Sequence, residues 1–163
     1  MWNPHRQSLI EKLEKVQKRA TKLVINVTKL HYEERLRQLK LPTLKYRKIR
    51  GDMIELYKIS AGKYDDNTTE WIRGKCIEKQ HDTRSHRFTL LQSQVHCDMR
   101  KFNFSNRIIP IWNSLPDYVI APPTTNTFKA RLDKFWENQD VRYSWKADIS
   151  FTGSRSKVEL TID

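Results

Sequence analysis

EKLEKVQKRATKLV, residues 11–24, holds five Lys or Arg among fourteen residues, yet Leu13, Val16, Ala20, Leu23 and Val24 return at helical spacing. At about 100° per residue these apolar positions, together with Leu9, cover about a third of a helix circumference. Lys12, Lys15, Lys18, Arg19 and Lys22 gather on another side. The stretch predicts an amphipathic helix that packs its apolar face inward and turns a nearly all-positive face outward. Asn3 is the expected cap and Pro4 the first helical residue, where the missing N–H costs nothing.

The charge on that helix belongs to a wider imbalance. The chain has 163 residues with 31 Lys and Arg against 19 Asp and Glu, a formal charge of +12 and a pI near 9.8. Residues 1–60 carry 15 basic and six acidic side chains, a net of +9, whereas residues 61–163 carry only +3. A field concentrated in one third of the chain points to a polyanionic partner. The length fits one domain, or a compact part of a larger protein. Two cysteines, Cys76 and Cys97, give no disulfide framework and read as reduced thiols. No apolar run reaches the roughly 18 residues of a membrane helix, and the start carries no signal-peptide pattern. The chain therefore reads as soluble and intracellular.

Further helices follow outward from the first. Residues 32–40, YEERLRQLK, predict a short helix closed by Leu41-Pro42, and a third runs from about Leu44 to Ser60 until Ala61-Gly62 ends it. In the third, Tyr46, Ile49, Met53, Leu56 and Tyr57 share a face, with Lys45, Arg47, Lys48 and Lys58 mostly opposite. Residues 62–85 are polar and lack apolar periodicity. RFTLLQ (87–92) and VHCDMRKFNF (95–104) are candidates for a short β-hairpin around Ser93-Gln94. SNRIIPIWNSLP places Phe104, Ile108, Trp112 and Leu115 on one helical face, with Pro110 expected to kink that helix or delay its start. TNTFKARLDKFW predicts a last helix capped by Thr125 or Asn126, burying Phe128, Leu132, Phe135 and Trp136.

The fold class is thus mainly α. A small bundle of three N-terminal helices (1–61) is followed by a polar loop (62–85), then a hairpin with two further helices packed on it (86–138). Residues 139–163 read as a loosely held tail.

In order and content, four blocks resemble a known family: LEKVQKRATKLV, HYEERLRQLKLPTLKYRKIRGDMIELYKI, FSNRIIPIWNSLP and NTFKARLDKFW. Together with the opening MWNPH they resemble the C-terminal part of reverse transcriptases from non-LTR, LINE-type (jockey-like) retrotransposons. The resemblance covers nearly the whole chain. It implies a thumb and post-thumb region that follows the polymerase palm and holds the template–primer duplex, an RNA–DNA hybrid, and it implies a nuclear setting. Fingers and palm, with the palm's magnesium ions, are expected upstream of Met1, so no cofactor is expected of this chain itself. Pro110 and His31 depart from the family's pattern, the latter standing where Ser or Asp more often caps.

Several chemical constellations fail on spacing. KYDDN (63–67) has paired carboxylates, but Tyr64 adjoins Asp65 directly and no apolar strand flanks the pair, so a solvated turn is the better reading than a two-metal site. Cys76, His81, His86, His96 and Cys97 offer metal-ligand types, yet neither cysteine belongs to a C-x₂₋₄-C pair. No G-x-S-x-G elbow and no Gly-rich phosphate loop is present. Aromatic residues Trp112, Phe128, Phe135 and Trp136 read as core and not as base-stacking platforms.

What remains is the basic surface. Lys12, Lys15, Arg19 and Lys22 are the first candidates for phosphate contact, with Arg47, Lys48 and Arg50 second. Lys15–Arg19 and Lys18–Lys22 are like-charged pairs four residues apart, which weaken a helix unless an anion lies alongside. Arg84, Arg87, Arg100, Lys101 and Arg107 read equally as an extension of the same surface or as ordinary surface charge. The rival readings are a helical protein–protein interaction module, associating with a partner or with itself through apolar helix faces, and a decayed retroelement reading frame without present activity.

Overall fold

The structure is a computed structural model that describes residues 4–65, 70, 72 and 88–149. It is mainly helical, and no strand is formed among the described residues. The helices are α1 (Gln7–Lys22), α2 (Tyr32–Gln38), α3 (Leu44–Ser60), α4 (Asp98–Lys101), α5 (Phe104–Asn113), α6 (Asp117–Ile120) and α7 (Thr125–Phe135), with 3₁₀ turns at Ile25–Val27 and Asp140–Arg142. The described residues fall into two compact units. One comprises residues 4–51 with 137–149, and the other is drawn from residues 52–136, so α3 contributes to the first as far as Gly51 and to the second from Asp52.

The first unit is held together largely by buried hydrogen bonds. α1 begins at Gln7, behind Arg6, so Pro4 precedes the helix instead of opening it, and Asn3 lies outside the described residues. Its buried residues are Glu14, Gln17 and Thr21, not the expected apolar stripe: Val16 is 65% and Leu23 83% exposed, with Leu9, Ala20 and Val24 also exposed and Leu13 half-buried. The reason lies in what α1 packs against. One Glu14 oxygen accepts from the Tyr32 hydroxyl at 2.7 Å, and the other from the Lys45 backbone N–H at 3.0 Å. Gln17 Nε2 donates to Pro42 O at 3.1 Å, and Thr21 Oγ1 accepts from Arg35 Nε at 3.3 Å. The neighbouring segment presents helix-end and loop groups that require polar partners, and α1 turns its polar flank to supply them.

α2 ends at Gln38, sooner than expected, in a Schellman turn: Lys40 takes a left-handed φ of 53°, its N–H donates to Arg37 O, and Leu41 N–H donates to Leu36 O. Thr43 then caps α3. Its hydroxyl accepts from Tyr46 N–H at 3.1 Å and donates to Val141 O at 2.6 Å, while its own N–H donates to Arg142 O at 2.9 Å. These bonds fasten residues 140–142 to the start of α3. Tyr32, Leu36 and Trp145 form a small core here, with Ile10 and Tyr143 against it. The expectation of a loose tail from residue 139 is therefore corrected as far as 149: Val141 is fully buried and Trp145 nearly so.

The second unit has an ordinary apolar interior. Met53, Leu56 and Tyr57 of α3 are buried, as are Ile108, Ile109 and Trp112 of α5, Val119 and Ile120 of α6, and Phe128 and Leu132 of α7, followed by Trp136. Tyr57 and Phe128 stack at 4.4 Å between ring centroids, and Trp112 meets Phe128 at 6.2 Å. Each such side chain contributes about 1.5–3 kcal/mol relative to exposure. Phe135 is half-buried, edge-on to Tyr118.

α3 ends as predicted, at Ser60, and Gly62 behind it takes a left-handed φ of 65°. α7 is capped by Thr124, one residue before the expected position, through a 3.2 Å bond from Thr127 N–H. α5 runs through Pro110 without a break, opened by Asn103, whose side chain accepts from Phe104 N–H.

The expected hairpin is not formed among the described residues. Much of its second half is α4 and the start of α5. In place of a strand, the Asn113 amide takes both backbone groups of Leu90, at 3.0 and 2.9 Å, and Trp112 Nε1 donates to Phe88 O at 2.8 Å. Leu91 and Met99, in the two candidate strands, stay 55% and 86% exposed.

Candidate nucleic-acid interface

Within the first unit, the second half of α1 and residues 28–35 enclose an open cleft of about 670 Å³. Lys15, Lys18, Arg19 and Lys22 line it from α1, Lys29 from the connecting loop and Arg35 from α2, and no Asp or Glu lines it. A concave wall of one sign of charge focuses the field and attracts counter-charge. α1 places these cations on successive turns, so they follow the helix axis for about 10 Å.

Arg35 is the most constrained of them. It is buried, 4% exposed, and makes no ion pair among the described residues. Its Nη1 donates to Leu30 O at 2.7 Å, its Nε donates to Thr21, and its guanidinium lies over the Tyr32 ring at 5.6 Å. A buried guanidinium held by neutral acceptors keeps its full charge next to the cleft. Lys18 Nζ sits 5.2 Å from both the Tyr32 and Trp145 ring centroids, an arrangement that fixes its position without neutralising it. Burial, reinforced by the hydrogen bond to Glu14, pushes the Tyr32 hydroxyl well above the usual tyrosine range, so it remains a protonated donor.

Of the seven residues expected from sequence, the structure brings Lys15, Arg19 and Lys22 into this cleft. Lys15 also pairs with Glu11 at 3.5 Å, both side chains about half exposed, which softens its charge without removing it. Lys12 is exposed on α1 but does not line the cleft. Arg47, Lys48 and Arg50 are on α3 and do not line it either. Lys48 borders a separate small crevice with Pro4, Ile10 and Leu44. Lys18, Lys29 and Arg35 complete the cleft and were not among the seven. Arg35 was hidden because it sits amid the acidic residues of YEER, and Lys29 because it lies in a loop.

Arg107 is not available as surface charge. It makes two 3.1 Å bonds to the buried Asp52 carboxylate, from Nε and Nη2. Arg100 and Lys101 are exposed on α4, while Arg84 and Arg87 lie outside the described residues. Of KYDDN, Tyr64 donates its hydroxyl to Glu55, and Asp66 and Asn67 lie outside the described residues. Lys58 and then Tyr64 hold the Glu55 carboxyl below its usual range. No group of three or more His, Cys, Asp and Glu is placed to hold a metal ion among the described residues. His96 and Cys97 are exposed, and Cys76, His81 and His86 lie outside the described residues. No helix among the described residues is long and apolar enough to cross a membrane.

No protein-family model, curated protein or solved structure matches the chain.

Proposed function

We propose that this chain is a nucleic-acid-gripping module, the thumb-like C-terminal part of a non-LTR retrotransposon reverse transcriptase, whose cleft tracks the phosphate backbone of a template–primer hybrid. The observation that carries the reading is the cleft with its six cations and no lining carboxylate, floored by a buried arginine that has no ion pair among the described residues. Such a surface favours phosphates and sugars and positions a duplex without reading its sequence. No group of three or more His, Cys, Asp and Glu able to hold a metal ion occurs among the described residues, and in this reading the chain holds the duplex while a palm elsewhere carries out the chemistry.

Counterion release supplies the test. A fluorescent RNA–DNA hybrid titrated with the chain at several salt concentrations is expected to show log K falling with log salt at a slope of about −4, for four to five phosphates engaged. Lys22→Glu and Arg19→Glu are each expected to flatten that slope by about one or more. A slope near zero, or binding indifferent to both substitutions, removes the reading.

A further inference from the structure

The apolar residues on the outer face of α1, all exposed except the half-buried Leu13, are not scattered. Leu9, Leu13, Val16, Ala20 and Leu23 follow steps of four, three, four and three, the a/d rhythm of a helix that pairs with another helix. The seam extends for about 21 Å. Val16 and Leu23, 65% and 83% exposed, are its most open members. The buried flank of the helix, Glu14, Gln17 and Thr21, lies about a quarter-turn or more away and is already used inside the first unit.

The rim of the seam has a sign. With Leu13 at position a, Lys12 and Arg19 take the g positions and Ile10 and Gln17 the e positions. Lys12 and Arg19 are exposed and make no ion pair among the described residues. The nearby acids are engaged elsewhere: Glu11 is paired with Lys15, and Glu14 is buried against Tyr32 and Lys45. An apolar strip edged by uncompensated cations calls for a complement that is apolar along its middle and acidic along its edge.

We propose that the exposed seam of α1 docks an amphipathic helix of another polypeptide whose apolar stripe is flanked by Asp or Glu. A second copy of this chain fits poorly: antiparallel pairing sets the Lys12 and Arg19 rims against each other, and parallel pairing sets them against uncharged e positions, so neither offers them a carboxylate. A duplex held through its phosphates would use the cleft's cations and gain nothing from Val16 and Leu23. A lipid surface is disfavoured by the seam itself, which is narrow, includes the small Ala20 and has no Trp or Phe to anchor it.

The test uses the full chain and a labelled three-heptad peptide with Leu at a and d and Glu at e and g, followed by fluorescence anisotropy. A matched peptide with Lys at e and g and a scrambled peptide of the same acidic composition serve as comparators. The Glu peptide is expected to bind saturably, and at least about tenfold more tightly than either comparator. Val16→Asp and Leu23→Asp, each placing an unpaired charge in the joint, are expected to weaken it at least about tenfold. Lys12→Glu with Arg19→Glu is expected to reverse the preference between the Glu and Lys peptides. Both apolar positions are exposed, and circular dichroism checks that the variants keep their helix. Should either variant unfold, the peptide comparison on the unaltered chain decides alone.

Equal binding of the Glu and scrambled peptides would reduce the surface to bulk electrostatics and overturn the proposal. Three further outcomes would do the same: no saturable binding of the Glu peptide, a dimer in sedimentation that Val16→Asp dissolves, or binding to phosphatidylserine vesicles in place of the peptide.

Discussion

α1 and α7 have similar apolar periodicity and opposite fates. α7 turns Phe128 and Leu132 into an interior with Trp136 close behind, all at 0–1% exposure. α1 turns Glu14, Gln17 and Thr21 inward and leaves Val16 and Leu23 in water. The difference lies in what each helix meets. Around α7 the neighbouring walls are aromatic and aliphatic, from Tyr57, Trp112 and the buried residues of α6. Around α1 they are the start of α3, a loop carbonyl and a guanidinium, all needing hydrogen-bond partners. Periodicity therefore states that a helix has an apolar face, and the neighbours decide which face is buried.

The largest effect that tests this contrast is a pair of truncations. Phe128→Ala is expected to destabilise the protein by about 3–5 kcal/mol, because it opens a cavity beneath two packed rings. Leu23→Ala, at a position 83% exposed, is expected to stay within about 0.5 kcal/mol. Urea unfolding followed by far-ultraviolet circular dichroism measures both. A Leu23→Ala cost comparable to that of Phe128→Ala would mean that the seam is covered within the chain, and the contrast between the helices would collapse.

Next in size is the polar clasp that α1 buries instead. Glu14→Ala leaves the Tyr32 hydroxyl and the Lys45 N–H without their acceptor, and is expected to cost about 2–4 kcal/mol. Tyr32→Phe removes one donor and leaves the other, for about 1–2 kcal/mol. Because the two residues share one bond, the double variant Glu14→Ala with Tyr32→Phe should cost less than the sum of the singles. Strict additivity would show that Glu14 and Tyr32 do not act together.

The same clasp gives an alkaline signature. The Tyr32 hydroxyl titrates above its unfolded value of about 10, first because it is buried and then because Glu14 accepts its proton in a hydrogen bond. The folded state thus holds that proton more tightly than the unfolded chain does. The contribution is fully present below pH 10 and is lost progressively as pH rises beyond it. Burial raises Tyr57 and Tyr118 in the same direction. Stability is expected to fall above pH 10, and Tyr32→Phe should become relatively less costly there, as measured by urea midpoints at pH 8 and pH 10.5. A gap between Tyr32→Phe and the unaltered chain that stays constant between those pH values would contradict the assignment.

The helices of both units could largely be read from residues alone, whereas the buried face of α1 and the anchoring of residues 140–145 could not. The span of α3, its Gly62 stop and the buried faces of α5 and α7 follow from local signals: apolar spacing and a glycine where φ must be positive. Val141 and Trp145 escaped notice because two isolated apolar residues carry no period, and their burial depends on Thr43, about a hundred positions away in sequence. The cleft divides in the same manner. Lys15, Arg19 and Lys22 lie on one helix face and were visible as such. Lys29 and Arg35 join them only once the chain has folded back, which no spacing within α1 can indicate.

The smallest effect compares two helix ends that use one device with different residues. α2 and α3 both close in Schellman turns: Leu41 N–H reaches Leu36 O in one, and Lys63 N–H reaches Lys58 O in the other. The left-handed position is Gly62 after α3 and Lys40 after α2, with φ values of 65° and 53°. A Cβ at this position costs roughly 1 kcal/mol, and replacing it by glycine also loosens the unfolded chain, which returns part of the gain. Lys40→Gly is therefore expected to stabilise the first unit by about 0.5 kcal/mol, whereas Gly62→Ala should destabilise α3 by about 1 kcal/mol. Lys40 also carries a positive charge near a helix C-terminus, where it interacts favourably with the exposed carbonyls, so Lys40→Gly forfeits a few tenths of a kcal/mol. Lys40→Asn separates the two contributions: it removes the charge while keeping a side chain that tolerates the left-handed region. If Lys40→Asn is neutral and Lys40→Gly stabilises, backbone strain dominates at the end of α2; if both destabilise, the charge at the helix end outweighs the strain.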